Sequence, residues 1–222
     1  MTGEPSRENR TYKLIVIGDS RVGKTSLIRA QAGMLFRPEY VATIGADVIT
    51  RIYEFNDRTL YLLIFDVRGQ SIHDSVNDYF FSGAAATLMV FDLTRKETFK
   101  HVEDWCSEVR KRIPYRIPMT LIGNKADLKD KRETSFEEGK AAANAMRLDN
   151  YLETSAKTTD NVDKAFMEIL ARCLAEGPKD VRLANRMEDV LKGIHAADSE
   201  IVAEIRKLDK IGKKGVGAGG QS

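Results

Sequence analysis

Mostly apolar runs alternate along this chain with stretches whose apolar residues recur every three to four positions. The runs at 12–17, 86–92 and 119–123 have no polar alternation, which predicts strands buried on both faces. A shorter run at 150–153 belongs with them. Helical spacing marks 26–32, 96–112, 135–146 and 162–175. Within 96–112, Phe99, Val102, Trp105, Cys106 and Val109 fall on one face, and Trp105 reads as core. Two more strands, 46–55 and 59–65, flank Asn56-Asp57-Arg58, a hairpin turn signal. Pro38 and Gly45 break the pattern over 36–45, which reads as a loop, and a polar segment runs from Gln70 to Tyr79. Strands alternating with helices imply a mostly parallel sheet covered on both faces, with the hairpin as an antiparallel edge.

Gly177-Pro178 punctuates the chain, and 179–211 then reads as one amphipathic helix. Its apolar positions include Leu183, Met187, Val190, Leu191, Ile194, Ile201, Ile205 and Leu208. The steps are mainly three and four, but the phase shifts near 197–201, so this is not a heptad seam. Gly193 weakens its middle by ~1 kcal/mol against alanine. The helix either packs back on the domain or pairs with a second copy or a partner helix. Residues 1–10 read as a flexible terminus, 11–176 as the domain, and the glycine-rich 212–222 as a flexible tail.

Composition adds little to this outline. The 222 residues fit one domain with an appendage, or two small domains, and a net charge of +2 gives no case for a nucleic-acid partner. Cys106 and Cys173 lack metal-ligand spacing and read as reduced, buried thiols of a cytoplasmic protein. No run approaches a membrane span, and the polar start of the chain lacks a signal-peptide core.

The sharp chemistry begins directly after the first strand. Gly18-Asp19-Ser20-Arg21-Val22-Gly23-Lys24-Thr25 has the form G-x-x-x-x-G-K-T between a strand and a helix. Its glycines let the backbone approach an anion with N–H groups turned inward, and the helix start adds its dipole. Lys24 would reach the β- and γ-phosphates, and the Thr25 hydroxyl would ligate Mg²⁺. This loop alone does not choose between ATP and GTP. Asn124-Lys125-Ala126-Asp127 follows a later buried strand. A carboxylate there can accept from the ring N1–H and the exocyclic amine of guanine, whereas adenine offers neither. Ser155-Ala156-Lys157, after the next strand, can brace the same base through a backbone N–H and the lysine stem.

With these motifs in order, residues 11–176 resemble a Ras-superfamily small GTPase, and most nearly the Rab family. Thr43-Ile44-Gly45-Ala46-Asp47 resembles the Rab-type T-I-G-V-D, and Phe80-Phe81-Ser82-Gly83-Ala84 resembles Y-Y-R-G-A. The resemblance implies a small G domain of the P-loop NTPase class, an α/β fold with a mostly parallel six-stranded sheet and helices on both faces. It implies that Ser20, Arg21, Val22, Gly23, Lys24, Thr25 and Ser26 line the nucleotide phosphates. Phe36 would pack on the guanine edge, and Tyr40 would also contact the nucleotide. Thr43 would ligate Mg²⁺ and sense the γ-phosphate, and Asp66 would hold Mg²⁺. The Gly69 N–H would touch the γ-phosphate, and Gln70 would orient the attacking water. Asn124, Lys125, Asp127, Ser155, Ala156 and Lys157 would hold the base. Loss of the γ-phosphate would relax both loops, so the chain would switch between GTP and GDP forms. Effectors, an exchange factor and an activating protein are the implied partners.

The chain also departs from the pattern. Val67-Arg68 stands where relatives have Thr-Ala beside the phosphate. Arg68 would point to solvent, contact phosphate in cis, or crowd Mg²⁺ and leave a poor hydrolase. Val48 and Phe65 replace an aromatic and a tryptophan of the Rab effector surface. No cysteine follows Cys173, so no prenyl anchor is expected, and recruitment to a membrane would run through the tail helix and a partner. Lys207, Lys210, Lys213 and Lys214 read as a solvated charge run. Two alternatives stand beside the switch: a GTP-binding scaffold that works through its tail helix with little hydrolysis, and a P-loop kinase, which Asp127 disfavours.

Overall fold

The computed structural model describes residues 8–33, 46–55, 58–67 and 78–176. The predicted loop over 36–45, the segment 68–77, the turn residues Asn56 and Asp57, and the tail from 177 onward lie outside the described residues.

Six strands form one sheet: β1 (Glu8–Ile17), β2 (Ala46–Phe55), β3 (Arg58–Val67), β4 (Ala84–Asp92), β5 (Met119–Asn124) and β6 (Asn150–Thr154). Their spatial order is β2-β3-β1-β4-β5-β6. Only the β2–β3 pair is antiparallel, with Phe55 opposite Arg58, as a tight hairpin demands. The helices are α1 (Lys24–Gln31), α2 (Asp78–Phe81), α3 (Lys96–Lys100), α4 (Val102–Arg112), α5 (Phe136–Ala145) and α6 (Val162–Glu176).

Period-two geometry sorts each apolar run into two cores. Leu14, Val16, Leu62, Ile64, Leu88 and Val90 face one side, where α1 adds Leu27 and Ile28, and α6 adds Phe166, Ile169 and Leu170. Ile15, Ile17, Leu63, Phe65, Met89 and Phe91 face the other, against Trp105, Cys106 and Val109 of α4. Neither face of these strands meets water, which is why their sequences do not alternate.

Several boundaries differ from the sequence reading. β1 begins at Glu8, so residues 8–10, expected in the flexible terminus, are strand: Glu8 to Arg10 pair with Arg58 to Leu60 of β3. The predicted helix over 96–112 is two helices, broken at His101, where ψ moves to −4° from the ~−42° of a regular helix. The single-turn α2 and a 3-10 turn at Lys129–Lys131 are too short to leave a periodic signal. Ser135 is the cap of α5 rather than its first residue, in a reciprocal capping box with Glu138. Phe65, read as part of an effector surface, is buried, with the Lys13 ammonium 4.3 Å from its ring centroid. Burial lowers the Lys13 pKa to about 8, and its amine donates to the Ser82 carbonyl at 2.8 Å. Among the described residues no helix is long and apolar enough to cross a membrane.

Candidate functional site

Strand order reverses at β1, whose neighbours are β3 on one side and β4 on the other. Open α/β sheets place ligands outside the carboxyl ends of their strands at such a point. The loop from Gly18 to Gly23 leaves β1 there and enters α1. Its glycines are compelled by geometry. Gly18 has φ 137°, and a Cβ on it would sit 2.0 Å from the Val90 carbonyl oxygen. Gly23 has φ 98°, and its Cβ would meet the Asn124 amide at 2.4 Å. Gly23 is the N-cap of α1, where no side chain caps the first turn and no acidic residue lies in it. The N–H groups that helices such as α5 satisfy with a capping side chain are here left for an anion.

Side chains from other loops fix this backbone. Arg95 Nη2 donates to the Ser20 carbonyl at 2.8 Å, Lys125 Nζ to Arg21 at 3.0 Å, and Asn124 Nδ2 to Val22 at 2.9 Å. A trans peptide points its N–H opposite to its C=O, so carbonyls held from outside turn the N–H groups toward the concave side. Lys24 laces the other end, donating to the Gly18 and Asp19 carbonyls, each at 2.8 Å. Burial lowers its pKa to about 8, partly offset by the charges of Asp66 and Asp19. Ser20 and Arg21 are exposed, Arg21 in the left-handed region at φ 63°; Val22 is buried and Ser26 half-buried on α1.

Asp92, at the end of β4, organises the outer supports. It accepts from Lys125 Nζ at 2.6 Å, Arg95 Nε at 3.2 Å, and the Thr94 N–H and hydroxyl at 2.9 and 2.7 Å. Burial alone would raise the Asp92 pKa, but the hydrogen bonds from Lys125 and Thr94 outweigh it and hold it below its ordinary value. Sequence reasoning missed Asp92 and Arg95. Their one signal was position, just past a parallel strand's carboxyl end.

The Asn124 side chain is buried between two loops. Besides Val22 it engages Thr154 Oγ1 and the Ala156 N–H, both at 3.2 Å, through its Oδ1. The Ser155 hydroxyl donates to Asp127 Oδ1 at 2.7 Å and so orients that carboxylate. The fully buried Ser155 thus acts as a support for Asp127. Lys157 is exposed beside it. The Thr25 hydroxyl hydrogen-bonds the buried Asp66 carboxylate at the end of β3. A hydroxyl and a carboxylate are hard oxygen donors of the kind Mg²⁺ takes when phosphates complete its shell, so the donor chemistry fits that ion. Phe36, Tyr40, Thr43, Arg68, Gly69 and Gln70 lie outside the described residues.

Comparison with known proteins agrees with this geometry. A model of the Ras family matches residues 13–175. The chain is 34% identical over 182 residues to the Ras-related protein Rab-30 of Homo sapiens, covering 82% of this chain and 89% of that protein. The Bos taurus Rab-30 matches with the same figures. The Ras-related protein RIC1 of Oryza sativa subsp. japonica is 38% identical over 156 residues, covering 70% of this chain and 77% of that protein. A phosphate loop at the switch point, an oriented Asp127 and this match together make the chain a Rab-like member of the Ras family, a GTP-binding switch that hydrolyses GTP.

Proposed function

We propose that the chain is a Mg²⁺-dependent switch whose GTP form recruits effector proteins in membrane trafficking, working from the cytoplasm. The observation that carries this reading is Asn124, one buried side chain bonded both to the phosphate loop at Val22 and to the base loop at Ala156. It makes phosphate and base recognition one rigid unit, which suits an intact guanine nucleotide rather than a phosphate alone. Lys24 and the N–H groups from Ser20 to Ser26 hold the phosphates. Asp127 accepts the two guanine N–H groups, and Phe36, Tyr40 and Lys157 flank the nucleotide. Thr25, Asp66 and Thr43 are the residues that would hold Mg²⁺, which neutralises charge between the β- and γ-phosphates when bound. Gln70 orients the attacking water, and Gly69 with Thr43 reads the γ-phosphate. Such sites turn over slowly until an arginine is added, so an activating protein is an expected partner, as is an exchange factor. The segment 179–211, with apolar residues at helical spacing, serves as the recruiting element toward a partner.

Single-turnover GTP hydrolysis with Mg²⁺ tests this. The expected result is a slow rate that Gln70→Leu lowers by roughly 10²-fold or more, in line with loss of a water-positioning residue. Arg68→Ala reports on the neighbouring cation: a lower rate means Arg68 assists in cis. GTP binding without turnover, restored by Arg68→Ala, would replace the switch with a GTP-binding scaffold.

A further inference from the structure

Asp19, second in the phosphate loop, meets Lys24 through its carbonyl, and both of its carboxylate oxygens are engaged elsewhere. The Trp105 Nε1–H donates to Oδ1 at 2.8 Å, and the His101 Nδ1–H donates to Oδ2 at 2.6 Å. We infer that the α3–α4 junction is a clamp on the phosphate loop, and that Trp105 and His101 are positioning residues for bound nucleotide, acting through the Asp19 carboxylate. The inference rests on guanine-nucleotide binding in this loop.

The clamp has a rigid base. Trp105 is 3% exposed within the core that α4 shares with the sheet, so its N–H is held at a fixed place. The break at His101 ties the two donors together, because the Trp105 backbone N–H bonds the His101 carbonyl at 3.0 Å. Arg95, at the head of α3, grips the next residue through the Ser20 carbonyl. One flank therefore holds two successive residues of the loop, by side chain at Asp19 and by backbone at Ser20.

Charge gives the clamp its purpose. A carboxylate in a phosphate-binding loop repels the ligand, and it competes for Lys24, whose amine already bonds the Asp19 carbonyl. Two N–H donors from the α3–α4 junction hold that carboxylate and keep it turned away from the cradle. Without them Asp19 is free to swing toward Lys24 and the phosphates. A buried indole N–H needs an acceptor, and the one Trp105 meets is a carboxylate of the phosphate loop, 86 positions away in sequence.

The test is release of a fluorescent GDP from the full chain with Mg²⁺. Trp105→Phe keeps the ring packing and removes the donor; His101→Ala removes a half-exposed side chain that the core does not depend on. Each is expected to speed release by ~10-fold, the weight of one charge-assisted hydrogen bond. His101→Asn, which keeps an N–H near the Nδ1 position, is expected to release as wild type does. In an Asp19→Ala background neither Trp105→Phe nor His101→Ala should change the rate further. Release unchanged in both single variants, or accelerated equally in the Asp19→Ala background, overturns the clamp while the nucleotide reading stands. A wild-type chain that binds no labelled GDP overturns both together.

Discussion

At the scale of single residues, Lys24 carries the clearest pH dependence. Burial lowers its pKa to about 8, while phosphates favour the charged ammonium and raise the pKa in the bound state. Binding above pH 8 therefore takes up a proton. GDP affinity is expected to hold steady below about pH 8 and to weaken above it by up to ~10-fold per pH unit. Calorimetric titration at pH 7.0 and 8.5, below the ionisation of the guanine N1–H and in buffers of different ionisation enthalpy, measures the affinity and the proton uptake. In the function proposed above, Asp127 carries base choice. Asp127→Asn turns one acceptor into a donor, which suits a carbonyl where guanine has its amine. The variant should lose GTP affinity by roughly 10²-fold or more and gain XTP affinity, read by competition against labelled nucleotide. The loop at Gly18 to Gly23 and the Asn124-Lys125-Ala126-Asp127 segment stand out in the sequence because their motifs have local spacing. Asp92, Arg95 and His101 do not, because each is an ordinary polar residue until its partner on a distant loop is known.

At the scale of elements, the apolar runs announced β1, β4 and β5 because both faces of those strands are buried, and the few polar residues within them, Lys13, Thr87 and Thr120, are buried too. The four-residue α2 has no period to detect, and the break at His101 leaves the apolar spacing of 96–112 intact on either side. Trp105 was read as core and is core, but its hydrogen bond to Asp19 is a relation between elements that no local pattern encodes. Helix ends are set by their caps, and α5 offers a clean test. Its capping box pairs the Glu138 N–H with Ser135 Oγ at 3.2 Å and the Ser135 N–H with Glu138 Oε2 at 2.8 Å. Ser135→Ala should cost about 1 kcal/mol, seen as a lower urea midpoint with an unchanged m-value.

For the whole molecule, the site gathers at the carboxyl ends of five parallel strands, so ligand and fold stabilise one another. GDP with Mg²⁺ at ~100 times its Kd should add about 2.7 kcal/mol and raise Tm by roughly 5–10 °C. Chelating the metal should remove part of that rise in a thermal scan. The same long-range ties govern when the protein becomes competent during its synthesis. Asn124 meets Val22 across 102 positions and Lys125 meets Arg21 across 104, while Asn124 in turn leans on Ala156. On the ribosome, Gly18 to Lys24 emerge long before any of these supports exist. A nascent chain halted near residue 115 would present the glycine loop with two of its outer ties missing and no base loop. Nucleotide capture thus waits on β5 and β6, which come late in the chain.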